Sequence, residues 1–98
     1  MMINIEQITL NKRLVRNEDI IASEMDDEVI MMSMAYDAYF ALDAVGSRIW
    51  ELLAQPTTGQ AICVQLLSEY NVTPEQCQTQ TLALLRILAG KELILAAG

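Results

Sequence analysis

In the stretch YFALDAVGSRIWELL, Tyr39 to Leu53, the hydrophobic period changes from two to about 3.6 at one residue, Asp43. Tyr39 to Leu42 alternates as a half-buried strand does, with Phe40 and Leu42 on one face and Tyr39 and Ala41 on the other. After Asp43, the apolar residues Val45, Ile49, Leu52 and Leu53 recur at helical spacing. Asp43 itself supplies a carboxylate of the kind that accepts from the first free N–H groups of a helix. A strand that becomes a helix without a linker is held against whatever the helix packs on, so the chain is committed to a sheet fastened to helices. Gly46 costs ~1 kcal/mol in a helix relative to Ala. The missing side chain there lets a second backbone or helix come close.

Upstream, Ile20 to Met25 (IIASEM) and Glu28 to Met34 (EVIMMSM) flank the acidic turn Asp26-Asp27 and read as a hairpin. Ala35 to Ala38 (AYDA) is the turn into Tyr39 to Leu42, and three short strands in sequence make an antiparallel meander. Met1 to Asn11 is mildly apolar and unpatterned, a loose lead-in or a short extra strand. Downstream, Gln55-Pro56 stops the first helix. Thr57 to Gln60 (TTGQ) fits the capping-box pattern opening a second helix, with Ile62, Cys63, Leu66, Leu67 and Tyr70 as its inner stripe and Asn71 ending it in the left-handed conformation. Thr73 to Gln76 (TPEQ) is another capping box, with Pro74 at the first position of a third helix. That helix carries Cys77, Thr81, Leu84, Leu85 and Leu88 on one stripe, continues to Ala89 and is ended by Gly90. The tail KELILAAG either folds back as a strand or closes the core. The expected fold class is therefore α+β, a three-stranded antiparallel sheet followed by three helices. Its last two helices are joined as a helix-turn-helix, in a winged-helix-like arrangement. Residues 1–98 read as one domain, with a core at about 15–94.

A winged helix suggests DNA, but the charge opposes it. The 98 residues carry a net −7, from 13 acidic and 6 basic side chains, and nucleic-acid affinity rests on Lys and Arg contacts to phosphate. Only Lys12, Arg13 and Arg16 are close enough to form a patch, and they lie beside Glu18 and Asp19; the third helix has Arg86 as its only basic residue. Without histidine, catalytic triads and His-based general bases are excluded. Cys63 and Cys77 stand alone, without a C-x-x-C pair or a partner set for a metal, and read as small buried apolar side chains. No apolar run reaches the ~20 residues of a membrane span, and MMINIEQITLNKR lacks the regions of a signal peptide. The expectation is a cytoplasmic, non-enzymatic protein with no cofactor, no nucleic-acid partner and no membrane association.

The segment YFALDAVGSRIWELL, followed by QPTTGQAICVQLLSEYNVTPEQC, resembles the PqqD family of peptide-recognition domains. Phe40, Leu42, Asp43, Gly46, Ile49, Trp50, Leu52 and Leu53 fill the family signature, aromatic-x-Leu-Asn/Asp-x-x-Gly-x-x-Ile-Trp-x-Leu-Leu. Upstream, IASEMDDEVIMMSM is similar to the family's strand-turn-strand, in the form found in free-standing lasso-peptide proteins. The resemblance spans roughly Val15 to Ile94; AYDA departs from the Gly-containing second turn usual in relatives. It implies a non-catalytic adaptor that binds the leader of a ribosomally made precursor peptide, of the lasso class, and presents it to a modifying enzyme or leader peptidase. In the family the leader adds as an antiparallel strand beside the third strand, in a groove shared with the third helix. The peptide-binding candidates this implies are Tyr39, Phe40, Ala41 and Leu42 on the strand and Leu82, Leu85 and Arg86 on the helix. The physics agrees with such a use, because an edge strand offers unpaired N–H and C=O groups to an added strand. Within the family the alternative is the pyrroloquinoline-quinone pathway member, whose partner is a radical SAM enzyme. In another class, the alternative is an acidic winged-helix interaction or regulatory module.

Each candidate also has a plainer reading. Tyr39 is either a half-exposed strand aromatic or a wall of the groove. Trp50 falls one position off its helix stripe, as a core-edge residue or a partner surface. Met31, Met32 and Met34 are core filler or an adaptable surface. Leu85 is otherwise core, and Arg86, which would hold a leader carboxylate, is otherwise solvated.

Overall fold

Two three-stranded antiparallel sheets and three helices make up the described residues, an α+β fold. The computed structural model describes residues 7–26, 28–33 and 38–97. The readings for residues 1–6, for Asp27, for Met34 and for the turn at 35–37 lie outside the described residues.

The expected meander is present as β2 (Ile21–Met25), β3 (Glu28–Ser33) and β4 (Ala38–Leu42), paired in that order. Its register sets Val29 against Leu42, Met31 against Phe40 and Met32 against Tyr39. Alternation then sends Val29, Met31 and Leu42 into the core and Met32, Tyr39 and Ala41 outward. The methionines thus divide: Met31 is fully buried and Met32 half-buried on the outer face. Asp26 closes the β2–β3 turn with φ 48°, a left-handed conformation that Asp tolerates.

The second sheet is a correction to the expected single one. Its central strand, β1 (Arg13–Arg16), pairs with β5 (Thr57–Thr58) on one side and β6 (Ile94–Ala96) on the other. The C-terminal tail thus folds back as a strand. Backbone bonds from Arg16 N–H to the Leu53 carbonyl and from Asn17 N–H to the Leu93 carbonyl, 3.0 and 2.9 Å, fasten β1 to the rest. Arg13 and Arg16 fall on opposite faces of β1, so the basic patch does not form. Arg16 instead lies over Trp50, 5.5 Å from its ring centroid. Trp50 is 3% exposed and belongs to the core, not to a partner surface.

α1 (Ala44–Leu52) is capped as expected: the Asp43 carboxylate accepts from Gly46 N–H at 2.8 Å. α2 (Gly59–Glu69) is capped by Thr58, not Thr57, because Thr57 and Thr58 are first held as strand β5 against Leu14 and Arg13. Gly59 is needed there: a Cβ would lie 3.0 Å from the Leu10 side chain and 3.3 Å from the Leu10 backbone. Asn71 is not left-handed; α2 ends where Tyr70 turns extended. α3 (Pro74–Gly90) opens with the full Thr73–Gln76 capping box and runs one residue past Ala89. Glu92 supplies the left-handed turn after it, at φ 59°. Arg48 ties α1 to α2 through Glu69, 2.8 Å away, and also pairs with Glu51. Leu14, Leu53, Ile62, Leu85, Leu88, Leu93 and Ile94 form the centre of the core, drawn from the β5–β1–β6 sheet and all three helices or their ends, with Val29, Met31 and Leu42 added by the inner face of the β2–β3–β4 sheet.

Candidate functional site

At the Val29–Leu42 pair, a hydroxyl bridges the two strands. Ser47 Oγ accepts from Val29 N–H at 2.7 Å and donates to the Leu42 carbonyl at 3.1 Å. Those two backbone groups therefore point toward each other across β3 and β4. In an antiparallel ladder the directions alternate, so the N–H and C=O of Tyr39 and Ala41 point the other way, to the outer edge of β4. Among the described residues no strand pairs with that edge.

Beside the edge runs a groove of about 430 Å³. One wall is Ala41 and Leu42 of β4 with Val45, Gly46 and Ile49 of α1; the other is Cys77, Gln80, Thr81 and Leu84 of α3. Tyr70 and Val72, at and after the end of α2, close it. Gly46 lets α1 start hard against β4, since a Cβ there would be 3.3 Å from Leu42 Cβ. The site is mostly apolar, with Asp43 as the one acidic side chain among its lining residues, and its carboxyl group is already engaged as a helix cap.

The sequence candidates separate in space. Ala41 and Leu42 line the groove. Tyr39, 72% exposed, stands on the outer face above it, and Phe40 packs at the core margin under the Lys91 ammonium, 4.8 Å from its ring centroid. On α3 the groove faces another side than expected. Leu85 is fully buried and Leu82 packs against the core. Arg86 donates to the Ile8 carbonyl at 3.3 Å. Gln80, Thr81 and Leu84 line the groove from that helix, because the packing of α3 on α2 fixes which side of the helix is left open. Val45, 38% exposed, is a groove wall and not a core residue. Tyr70, Val72 and Gln80 also line the groove, and no local pattern in the sequence singles them out.

The two cysteines are free and buried under the groove. Cys77 Sγ lies 3.9 Å from the Cys63 carbonyl and 4.0 Å from Thr81 Oγ1. Burial pushes the Cys63 thiol up, against the hydrogen bond of Thr81. Among the described residues no group of side chains is arranged to hold a metal ion, and no helix is long and apolar enough to cross a membrane.

A family model described as "Coenzyme PQQ synthesis protein D (PqqD)" matches residues 28–94. No curated protein matches the chain. Among solved structures, TbiB1 in complex with the TbiA(beta) leader peptide is similar, with TM-score 0.77 and 33% identity over 86% of this chain and 98% of that one.

Proposed function

Because the chain belongs to the PqqD family, we propose that it binds the leader segment of a ribosomally made precursor peptide and presents it to a modifying enzyme or leader peptidase. The observation that carries this reading is the open edge of β4 beside an apolar groove. The similar structure of TbiB1 with a leader peptide supports it. The leader adds to β4 as an antiparallel strand. Its backbone bonds to Tyr39 and Ala41, and its alternate side chains enter the groove between β4 and α3. Affinity from such a short ladder plus a few buried side chains is on the order of micromolar.

The adaptor acts without chemistry of its own, as one recognition unit spanning the chain, in the cytoplasm. The form of the β2–β3 hairpin favours a lasso-peptide precursor. The description of the matching family favours the second reading, a pyrroloquinoline-quinone pathway adaptor working with a radical enzyme. The neighbouring genes separate the two.

N-methylating successive residues of the leader peptide and titrating each by fluorescence anisotropy tests the mechanism. Binding should weaken at every second position, where the lost N–H had faced β4. A flat profile, or one repeating every three or four residues, would mean the leader does not add as a strand.

A further inference from the structure

The outer face of the β2–β3–β4 sheet is apolar and, among the described residues, uncovered. Register places Ile21, Met32 and Tyr39 in one row across the three strands, and Ser23, Ile30 and Ala41 in the next. Ile21, Met25 and Tyr39 are 59, 60 and 72% exposed. The helices are on the other side, where α1 packs on Val29, Met31 and Leu42. An apolar face three strands wide marks an interaction surface more often than plain solvent exposure.

Charge says what kind of partner fits. Residues 17–47 hold eight of the 13 acidic side chains and no basic one, a net of −8. The remaining five acidic and 6 basic residues give +1, so this sheet and its flanks carry the whole negative charge of the chain. Asp26 and Glu28, both exposed, stand at the hairpin end of the apolar rows, and exposed Glu18 and Asp19 precede β2 at the other end, Glu18 beside a hollow it shares with Val29 and Trp50. A second copy would bring like charge onto like charge, which is costly at an interface. Position adds a further constraint. Tyr39 and Ala41 belong both to this face and to the β4 edge, so whatever lies on the face also borders an added leader.

We propose that this face docks the enzyme that receives the peptide, through an apolar patch on that enzyme ringed by lysine and arginine; the identity of the occupant rests on the leader-binding reading. Adaptor and leader then form one continuous surface for the enzyme to meet.

The test uses the peptide-modifying enzymes encoded beside this chain's gene, purified and immobilised singly, and a labelled leader peptide from the same cluster. Ile21→Ser with Met25→Ser, at exposed positions away from the groove, should weaken docking of one enzyme about tenfold or more. The same pair should leave leader affinity within about twofold. Asp26→Asn with Glu28→Lys should weaken docking too and reduce its sensitivity to salt. Docking unchanged in both double variants, or absent for every enzyme, overturns the proposal. So does a wild-type dimer in sedimentation that Ile21→Ser with Met25→Ser disperses, since a second copy would then be the occupant. Should the leader bind nowhere while docking still depends on this face, the leader reading falls and the docking surface stands.

Discussion

The hydroxyl of Ser47 donates a 3.1 Å hydrogen bond to the carbonyl of Leu42, holding the last residue of the edge strand against the helix that follows it. The same oxygen accepts from Val29 N–H, and Ser47 is 3% exposed. One buried side chain thus fixes the spacing of β3, β4 and α1.

Replacing Ser47 with Ala leaves a buried N–H and a buried C=O without their partner. The expected cost is about 1–3 kcal/mol. It should appear in urea unfolding as a lower midpoint at unchanged slope, followed by the fluorescence of Trp50, the chain's one tryptophan. Leader affinity should fall as well, because the Leu42 end of the edge is released. An unchanged midpoint would mean that the ladder closes without the hydroxyl.

Gly46→Ala sets two effects against each other. Helix propensity favours Ala by ~1 kcal/mol. A Cβ would, however, lie 3.2 Å from the capping carboxylate of Asp43 and 3.3 Å from Leu42 Cβ, and Leu42 is held by Ser47 and cannot easily retreat. The contact should win, giving a less stable protein and a narrower groove mouth. A rise in the unfolding midpoint would show that β4 yields.

The side of α3 that meets the leader can be read from two substitutions. Leu84→Asp puts a charge in the groove wall and should weaken leader binding about tenfold or more, ~1.4 kcal/mol. Arg86→Ala removes a side chain directed at the Ile8 carbonyl and should change affinity less than about twofold. Anisotropy titrations of both decide the matter, and the opposite ranking would move the site to the Leu82–Arg86 side.

Burial keeps the Cys63 thiol protonated to higher pH in the fold than in the unfolded chain. Above the ordinary thiol range, about 8.5, the unfolded chain loses that proton first and so holds fewer protons than the native one. Stability contributed at this position is intact below that range and declines as pH rises through it. Urea unfolding from neutral to alkaline pH should show the gap between wild type and Cys63→Ala narrowing upward. A constant gap would argue against a perturbed thiol.

Duplex DNA should not bind at ~150 mM salt, where phosphate and a −7 chain repel. A retarded band in a gel-shift assay that fades with added salt would contradict this.

What the sequence made legible was local. The period-two alternation of Tyr39 to Leu42, the Asp43 cap and the Thr73–Gln76 capping box each depend on residues within one turn or one strand, and each appears in the structure. The β5–β1–β6 sheet was not legible because its strands are short and pair across distances such as Arg16 to Ile94, which leave no local pattern. The Thr57 reading failed by one residue for the same reason: a distant strand decides which threonine is free to cap. The groove side of α3 was missed because leucines occur around the helix, at Leu82, Leu84, Leu85 and Leu88, so periodicity alone cannot say which stay buried. Only the placement of α2 and β4 chooses Leu84.

Ala97 N–H donates to the Arg13 carbonyl at 2.9 Å, just beyond the pairing of β6 with β1. An early strand of the described fold is thereby closed by its last one. Such a closure is all-or-none: β6 reaches β1 only once the whole of α3 is in place, and its opening would uncover Leu14, Leu93 and Ile94 together. The clasp that completes the second sheet is in this sense a latch, set by the last strand of the chain and released as one piece with the core beneath it.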